Sequence, residues 1–336
     1  MRPGNVVYLA GYTPTNGSSA VVLDEGGHVL VTDQPWDVDV LATRMAGQDG
    51  RVVGSSRLAA SVPGELAADV SRVGVAGWEL LTADLLIALR ESFPGAELVD
   101  GGELLDRQRA IKSPAEVALI RAACDATSAG AAAFVEGATA GVRERDLAIE
   151  VETAMRRAGS SGLAFPLIVG AGTSQTATGV PQPGDRVLAD GDLVLLDCGA
   201  IVEGYCGDMA RTVVVGSLGD DQAHLLETTY ELYEQCITAL RPGLNLGELH
   251  TNAVALARSR GYELPFLLGH GIGCQNWEPP PIDGTPGTVL EEDMVITIEP
   301  GIYVPGVGGA RLENTFAVTA TGAEALTSGP IDVWRR

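Results

Sequence analysis

The stretch "LVLLDCGAIVEGYCGDMARTVVVG", residues 193–216, consists of apolar runs interrupted by glycines and by two aspartates. The apolar runs predict neighbouring strands, and Asp197 and Asp208 each lie in a segment that is otherwise apolar. A charged group buried in a sheet is costly unless it is paired or bound to a metal ion. The two aspartates therefore predict a polar or metal-binding site that is built into a sheet.

Two more carboxylates and a solitary histidine stand in comparable settings. Glu299 in "VITIEPG" ends an apolar strand, Glu313 in "GARLENTFAV" lies inside another, and His270 is flanked by glycines in "GHGIG". One such carboxylate alone is more often an edge charge or a salt-bridge partner. Together, four carboxylates and one imidazole predict a site for two divalent cations bridged by carboxylates. Such a pair would lower the pKa of a water between the ions and polarise a substrate carbonyl.

Helical patterns surround the predicted strands. Ser113, Pro114 and Glu116 have the arrangement of a helix start, with serine as N-cap and proline at the first helical position. Further helices are predicted in "RERDLAIEVETAMRRAG", "DQAHLLETTYELYEQCITAL" and "NLGELHTNAVALARSRG". Helix pairs alternating with strand pairs predict an α+β domain over residues 111–336, with two similar halves around one antiparallel sheet.

Residues 1–110 predict a smaller α/β domain. The segment "AVVLDEGGHVLVTD" predicts a hairpin whose turn contains Gly26 and Gly27. Short strands are predicted in "RVVGSS", "RVGVAG" and "AELVDG", and a helix in "WELLTADLLIALRESF".

The composition excludes several classes of function. Forty-four acidic residues face 22 basic ones, for a net charge of −22, and the basic residues are scattered, so we expect no nucleic-acid partner. No apolar run approaches the roughly 20 residues that cross a bilayer, and "MRPGNVVYLAGY" lacks a signal-peptide layout, so we expect a soluble cytoplasmic protein without a membrane partner. Five cysteines without a C-x-x-C pair argue against a disulfide framework and a cysteine zinc site. The only lysine, Lys112, stands at a predicted helix entrance rather than in a site.

The motifs "DCGAIVEGYCGDMART", "GHGIG", "IEPGIY" and "GARLENT" resemble those of the pita-bread metallopeptidase family M24, which includes Xaa-Pro dipeptidase, aminopeptidase P, methionine aminopeptidase and creatinase. The resemblance covers nearly the whole chain. "NVVYLAGY" resembles the opening strand of the creatinase-type N-terminal domain, "RAIKSPAEVALIRAA" the start of the interdomain helix, and "AFPLIVGAGTS" the strand that enters the catalytic sheet. It implies a shortened creatinase-type N-terminal domain followed by a pita-bread domain.

The resemblance also implies a set of metal ligands. It places Asp197 and Asp208 on one metal ion and His270 on the other, with Glu299 and Glu313 shared between them. The ions implied are two of manganese, iron, cobalt or zinc. A homodimer is implied as well, in which the N-terminal domain helps to wall the partner's active site.

Three positions depart from the family pattern. Thr178, Gly179 and Val180 stand where the histidine of the family's "PH…P" turn would fall, and Trp277 stands where the family has the histidine of "HE.P". Phe266 replaces a histidine that some members carry four residues before the histidine ligand. Such histidines donate to the scissile carbonyl or shuttle a proton, and losing one donor typically costs about 2.7–4 kcal/mol of transition-state stabilisation. We expect a retained metal site with a more apolar pocket lined by Val180, Phe266 and Trp277; packing of Trp277 against the prolines of "EPPPI" is the alternative.

Two classes of function follow from this pattern. The first is a metal-dependent hydrolase of an amide bond, in a small peptide such as an Xaa-Pro dipeptide or in a small-molecule amide. There Glu299 would take a proton from water, and Arg311 would orient Glu313 or a substrate carboxylate. Lyase or cyclase chemistry at the same metals is a variant of it. The second class is a pita-bread binding module without catalysis, but such modules usually lose ligand carboxylates, and all five ligand positions are intact here.

Overall fold

The computed structural model describes residues 2–12, 17–25, 27–44, 50–265 and 267–335. The chain forms two compact units, Met1–Arg109 and Ala110–Arg336. We propose that residues 1–110 and 111–336 are two domains.

The first unit is a small α/β structure. Its helices are α1 (Pro3–Ala10), α2 (Val38–Arg44), α3 (Leu58–Ser61), α4 (Ala83–Ser92) and α5 (Gly102–Ala110). Its strands are β1 (Ser19–Asp24), β2 (Gly27–Thr32), β3 (Gly50–Gly54), β4 (Arg72–Val75) and β5 (Glu97–Asp100). Strand β2 pairs antiparallel with β1 and parallel with β3, and β4 pairs parallel with β5. The predicted hairpin, the three further strands and the helix that is now α4 are confirmed.

The opening segment is a helix, whereas the resemblance predicted a strand for "NVVYLAGY". Pro3 occupies the first turn of α1, where a fixed φ and a missing N–H are tolerated. Gly11 ends the helix with a left-handed φ of 59°. Val6 and Val7 are both buried, although β-branched residues favour strands. The strand prediction is wrong because packing and defined helix ends outweigh the weak propensity of two valines.

The second unit contains two pairs of long helices. Its helices are α6 (Pro114–Gly137), α7 (Glu144–Arg157), α8 (Gly172–Gln175), α9 (Asp220–Ala239) and α10 (Leu246–Ser259). The four long ones are those that the sequence predicts. The short 3₁₀ helices of the chain are Pro35–Asp37, Val62–Glu65, Trp78–Leu80, Thr176–Thr178 and Val333–Arg335.

The strands of the second unit pair antiparallel throughout its described residues. They are β6 (Gly162–Leu163), β7 (Ile168–Ala171), β8 (Leu193–Cys198), β9 (Ala200–Val202), β10 (Tyr205–Cys206), β11 (Met209–Val214), β12 (His270–Gly271), β13 (Glu278–Pro281), β14 (Val295–Ile298), β15 (Gly301–Val304), β16 (Gly308–Arg311), β17 (Asn314–Thr319) and β18 (Gly322–Ala325). They form four hydrogen-bonded groups, in the orders β10-β9-β6, β11-β8-β7, β13-β12-β14-β17-β18 and β15-β16. The sequence predicted one antiparallel sheet, but two-residue breaks at 207–208 and 312–313 interrupt its ladder.

Each half of the second unit buries one helix pair against one set of strands. Phe134 of α6 and Val151 of α7 share a core with Val194 of β8. Leu232 of α9 and Leu249 of α10 lie in the other core, which also contains residues of β14 and β17. These two cores match the predicted organisation in two similar halves.

Helix α6 begins as the sequence predicts. The hydroxyl of Ser113 accepts from the backbone N–H of Glu116, at 3.3 Å, and the Glu116 carboxylate accepts from the N–H of Ser113, at 2.9 Å. By length and composition alone α6 could cross a bilayer. Half of its most apolar window is buried inside the fold, as in a core helix.

Candidate metal centre

Strand β8 and the break that precedes β11 place Asp197 and Asp208 in the interior. Asp197 lies in β8, which is apolar along its length and pairs with strands on both edges. Asp208 lies in the break between β10 and β11, and the hydroxyl of Thr315 donates to its backbone carbonyl at 2.8 Å. Both aspartates are buried, with 5% and 3% of their surface exposed.

Glu299 and Glu313 come from the other half of the unit. Glu299 follows the last residue of β14, as the sequence predicts. Glu313 lies in the break between β16 and β17, where its N–H donates to the carbonyl of Ala210 at 3.1 Å. The fully buried Arg211 also donates to the Glu313 carbonyl, at 2.6 Å. The prediction that Asp208 and Glu313 lie inside strands is wrong, because each stands where the ladder stops and the side chains can converge.

His270 stands in β12 between two glycines that the packing requires. A Cβ at Gly269 would lie 2.0 Å from the carbonyl oxygen of Thr297, and one at Gly271 would lie 2.4 Å from that of Pro279. Glycines therefore flank the histidine because other backbone segments approach closely on both sides. Its Nδ1 lies 2.9 Å from the Gly271 carbonyl oxygen and donates to it, which leaves Nε2 to face the carboxylates.

The imidazole and the carboxylates form one cluster. His270 Nε2 lies 3.3 Å from Glu299 Oε1 and 3.5 Å from Asp208 Oδ2. One potential ligand atom each from Asp208, His270 and Glu313 lies within 4.8 Å of the other two. The resemblance assigned Asp208 and His270 to different ions, and that division stays a prediction.

Several buried oxygens of the cluster have no hydrogen-bond partner within the described residues. They are Asp197 Oδ1, Asp208 Oδ1 and both carboxylate oxygens of Glu313. A buried acceptor without a partner costs about 1–3 kcal/mol, and more when it is charged. Carboxylate oxygens with one imidazole nitrogen are a suitable donor set for divalent cations such as manganese, iron, cobalt or zinc. The residues present therefore fit a metal centre.

Burial shifts the pKa of every titratable member of this cluster. It raises the pKa of Asp197, and it raises the pKa of Asp208 and Glu313 well above their usual values, with the neighbouring carboxylates adding to the shift of the latter two. Burial also raises the pKa of Glu299 to about 7 and lowers that of His270 to about 4. The imidazole is therefore neutral near pH 7, which is the form that binds a metal.

Arg311 is fixed by three acceptors. Its Nη1 donates to Asp197, its Nε donates to the hydroxyl of Tyr303 at 2.8 Å, and its Nη2 donates to the carbonyl of Gly179 at 3.1 Å. The sequence predicted that Arg311 orients Glu313 or a substrate carboxylate; the protein carboxylate it holds is Asp197 rather than Glu313, and the substrate role stays a prediction. The reason is that β16 ends at Arg311, so the two-residue spacing no longer places both side chains on one face.

Sequence reasoning missed Tyr303, and it missed the contact of Lys112. Tyr303 follows Glu299 by four residues, a weak signal in an apolar strand. The Lys112 ammonium lies 3.5 Å from Glu278 Oε2, and both side chains are buried. Because Glu278 also accepts from the N–H of Gln275, at 2.9 Å, this ion pair anchors the segment that carries Trp277.

The structure gives different information on the three residues that were predicted to line the pocket. The Trp277 ring is 49% exposed, and its centroid lies 6.1 Å from that of the His270 ring. Val180 is 55% exposed and follows Gly179, whose carbonyl binds Arg311. Phe266 lies outside the described residues. The structure thus places Trp277 and the segment of Val180 beside the cluster, and a substrate role for them stays a prediction.

The raised pKa of Glu299 predicts how the stability of the chelator-treated protein changes with pH. Its folded pKa of about 7 exceeds the usual pKa of 4.5 for a glutamate, so its contribution to stability is full below pH 4.5 and is lost as pH rises through 7. Between pH 5 and 8, we expect the loss from this carboxyl to reach about 3 kcal/mol in the free energy of unfolding.

Urea unfolding in excess chelator measures this dependence. Glu299→Gln should lose this part of the pH dependence, whereas Glu292→Gln, at an exposed position, should keep it. Equal slopes for the wild type and Glu299→Gln would contradict the assignment.

Comparison with known proteins supports the same conclusion. The sequence model of metallopeptidase family M24 matches residues 118–320, and that of the creatinase/prolidase N-terminal domain matches residues 1–111. The chain is 32% identical to the Xaa-Pro dipeptidase of Pyrococcus furiosus, over 97% of this chain and 91% of that protein. The solved prolidase from Pyrococcus furiosus has a TM-score of 0.87 at 30% identity, covering 98% of this chain and 95% of that one. The Xaa-Pro dipeptidase from Bacillus anthracis has a TM-score of 0.88 at 28% identity, covering 99% and 93%. This chain, with its creatinase-type N-terminal part and its cluster of buried carboxylates around His270, therefore belongs to metallopeptidase family M24 and is a metal-dependent hydrolase.

Proposed function

We propose that this protein is a metal-dependent dipeptidase that hydrolyses the bond before proline, or before another imino acid, in a small peptide. The observation that carries this proposal is the set of buried carboxylate oxygens, without hydrogen-bond partners in the described part of the chain, around a neutral His270. Relatives named Xaa-Pro dipeptidase and prolidase support the substrate class.

The proposed centre holds two divalent ions, of manganese, iron, cobalt or zinc. The ligands are Asp197, Asp208, His270, Glu299 and Glu313. Arg311 pairs with Asp197 and lies near Glu299, while Asp208 and Glu313 have no ion pair with an arginine among the described residues, and this surplus of carboxyl groups supports more than one cation. A divalent ion in such a centre acts as a Lewis acid that polarises the scissile carbonyl and makes water a stronger nucleophile.

Glu299 is the proposed general base. Its side chain is 14% exposed, against 7% for Asp197 and 4% for Asp208, so solvent reaches it more easily than either aspartate. Its carboxylate takes the proton of the attacking water and returns it to the leaving nitrogen. Arg311 keeps Asp197 in place and lies 3.8 Å from Glu299 Oε2.

Trp277 and Val180 form the proposed apolar wall for the substrate. The exposed face of the indole suits a pyrrolidine ring, which offers only C–H groups to its surroundings. Val180 has no hydrogen-bonding group, and the indole N–H of Trp277 can donate but cannot take up and return a proton as a histidine does. We therefore expect a dipeptidase that is weaker than relatives with these histidines.

Metal content tests the proposed centre most directly. Protein purified without a metal-affinity tag should carry one to two equivalents of manganese, iron, cobalt or zinc, measured by elemental mass spectrometry. Asp208→Ala should lose this metal because it removes a central ligand, whereas Asp146→Ala, on the exposed face of α7, should retain it. Protein without metal even after reconstitution would overturn the metalloenzyme proposal.

Trp277→His tests the position of the missing donor. The new imidazole would lie close to the metal centre and could stabilise the developing oxyanion, so kcat/KM for Ala-Pro should rise at least tenfold. Steady-state assays of metal-loaded protein measure this change, with Trp78→His in the first unit as the control. An unchanged kcat/KM would show that Trp277 is not at the donor position or that another absent donor limits the reaction.

We further propose that the protein is a cytoplasmic homodimer. The five cysteines are all buried and form no disulfide bond, which suits a reducing compartment. Light scattering on the purified protein should give twice the chain mass of 34.8 kDa. A mass equal to one chain would remove the dimer from the proposal.

A further inference from the structure

Arg211 is a buried arginine without an acidic partner. It stands in β11, and only 1% of its surface is exposed. All of its hydrogen bonds go to neutral acceptors, and it forms no ion pair with a carboxylate among the residues that the structure describes. An unpaired charge in the interior of a protein is costly, so the presence of this guanidinium calls for an explanation.

The side chain of Arg211 lies on the opposite face of its sheet from the carboxylate of Asp197. In the register of β11 with β8, Ala210 is opposite Asp197 and Arg211 is opposite Leu196. Neighbouring residues of a strand point to opposite faces. Leu196 accordingly belongs to the apolar core that α6 and α7 share with this sheet. Any effect of Arg211 on the metal centre is therefore transmitted through the backbone that carries the ligands.

The guanidinium of Arg211 holds the backbone at one of the two ladder breaks. Glu313 lies between β16 and β17, where no strand supplies a ladder partner. Arg211 Nη1 donates to the Glu313 carbonyl at 2.6 Å and to the Ala210 carbonyl at 2.9 Å. The Ala210 carbonyl also accepts from the N–H of Glu313, at 3.1 Å. The N–H and the C=O of Glu313 are thus both bound by residues 210 and 211.

The remaining donors of Arg211 fix the guanidinium in place. Nη2 donates to Asn314 Oδ1 at 2.9 Å and to the Gly329 carbonyl at 3.4 Å, and Nε donates to the Pro330 carbonyl at 2.9 Å. Asn314 is itself held, because its amide donates to the hydroxyl of Tyr233 at 2.6 Å. Arginine suits this set because its planar fork has five N–H donors, whereas a lysine ammonium has three on a flexible stem.

We propose that Arg211 is a positioning residue that directs the Glu313 carboxylate into the metal centre. Both oxygens of this carboxylate are buried and have no hydrogen-bond partner within the described residues. No hydrogen bond to its own oxygens orients the group there, so its direction depends on the backbone that Arg211 holds. The inference rests on the proposed metal centre, and it makes Arg211 a determinant of metal geometry rather than of substrate binding.

Cobalt binding by metal-free wild type, Arg211→Lys and Arg211→Met tests the inference. The visible absorption of bound Co²⁺ depends on the number and arrangement of its ligands. Loss of a group that orients a ligand should weaken the cobalt Kd, measured by calorimetry, by about 10- to 100-fold and shift these absorption bands. Arg211→Lys should lie between wild type and Arg211→Met, because an ammonium keeps the charge but cannot reproduce the fork.

A matched variant separates positioning from a general loss of stability. Arg186 donates to Asp192 at 2.6 Å and 2.7 Å and contacts no proposed metal ligand. Arg186→Met should lower the midpoint of urea unfolding but keep the wild-type cobalt Kd and spectrum. Near-UV circular dichroism identifies the folded variants, and Arg211→Lys alone decides if Arg211→Met does not fold.

Two results of the cobalt measurements would overturn the inference. One is a folded Arg211→Lys or Arg211→Met that unfolds in less urea than wild type but has the wild-type Kd and spectrum, because Arg211 would then be only structural. The other is an equal change of Kd and spectrum in Arg186→Met.

Steady-state kinetics with Ala-Pro at saturating cobalt give an independent readout. We expect kcat of Arg211→Lys to fall about tenfold or more, with little change in KM, because Arg211 contacts neither Trp277 nor Val180. A higher KM at unchanged kcat would contradict the inference.

The dipeptidase proposal can fail separately from this inference. If wild type binds cobalt but cleaves no dipeptide, the cobalt Kd and spectrum of the variants still decide the role of Arg211. Wild type that binds no cobalt would overturn both proposals.

Discussion

The burial of four carboxyl groups around one imidazole is the constraint on which the second unit depends. Ionised carboxylates without partners are among the most expensive groups to take out of water. The fold surrounds them with strands from both of its halves, so the cost is concentrated where the halves meet. The guanidinium of Arg311 offsets part of the charge through its pair with Asp197, and a divalent cation is suited to offset the remainder.

Breaks in the strand ladder and close backbone contacts allow the carboxylates and the imidazole to converge. The strand ladder stops for two residues at Asp208 and again at Glu313, and glycines flank His270 because the backbone passes within contact distance. A regular strand would send alternate side chains to opposite faces. The breaks free the two carboxylates from that alternation and let them meet the imidazole.

The carboxylates of the buried cluster could be predicted from sequence, because each interrupts or ends an apolar run and such breaks are visible without a structure. The start of helix α6 was equally predictable from sequence, since Ser113 and Glu116 determine it through local hydrogen bonds. The sequence could not predict contacts between residues that lie far apart in the chain. The partner of Arg311 depends on where β16 ends, and the pairing of Lys112 with Glu278 joins residues that lie far apart in the chain. The hydrogen bond from Arg311 to the hydroxyl of Tyr303 likewise depends on tertiary placement.

The Lys112–Glu278 pair allows chemical labelling to detect local opening of the segment around Glu278. Lys112 is the only lysine in the chain, and its side chain is 2% exposed. Amine-directed acylation of the folded protein therefore finds the ε-amino group shielded, while any fluctuation that frees Glu278 and its segment uncovers it. The acylated fraction, counted as a mass increment at this one position, then measures how often the segment beside His270 opens, without an added probe or an engineered label.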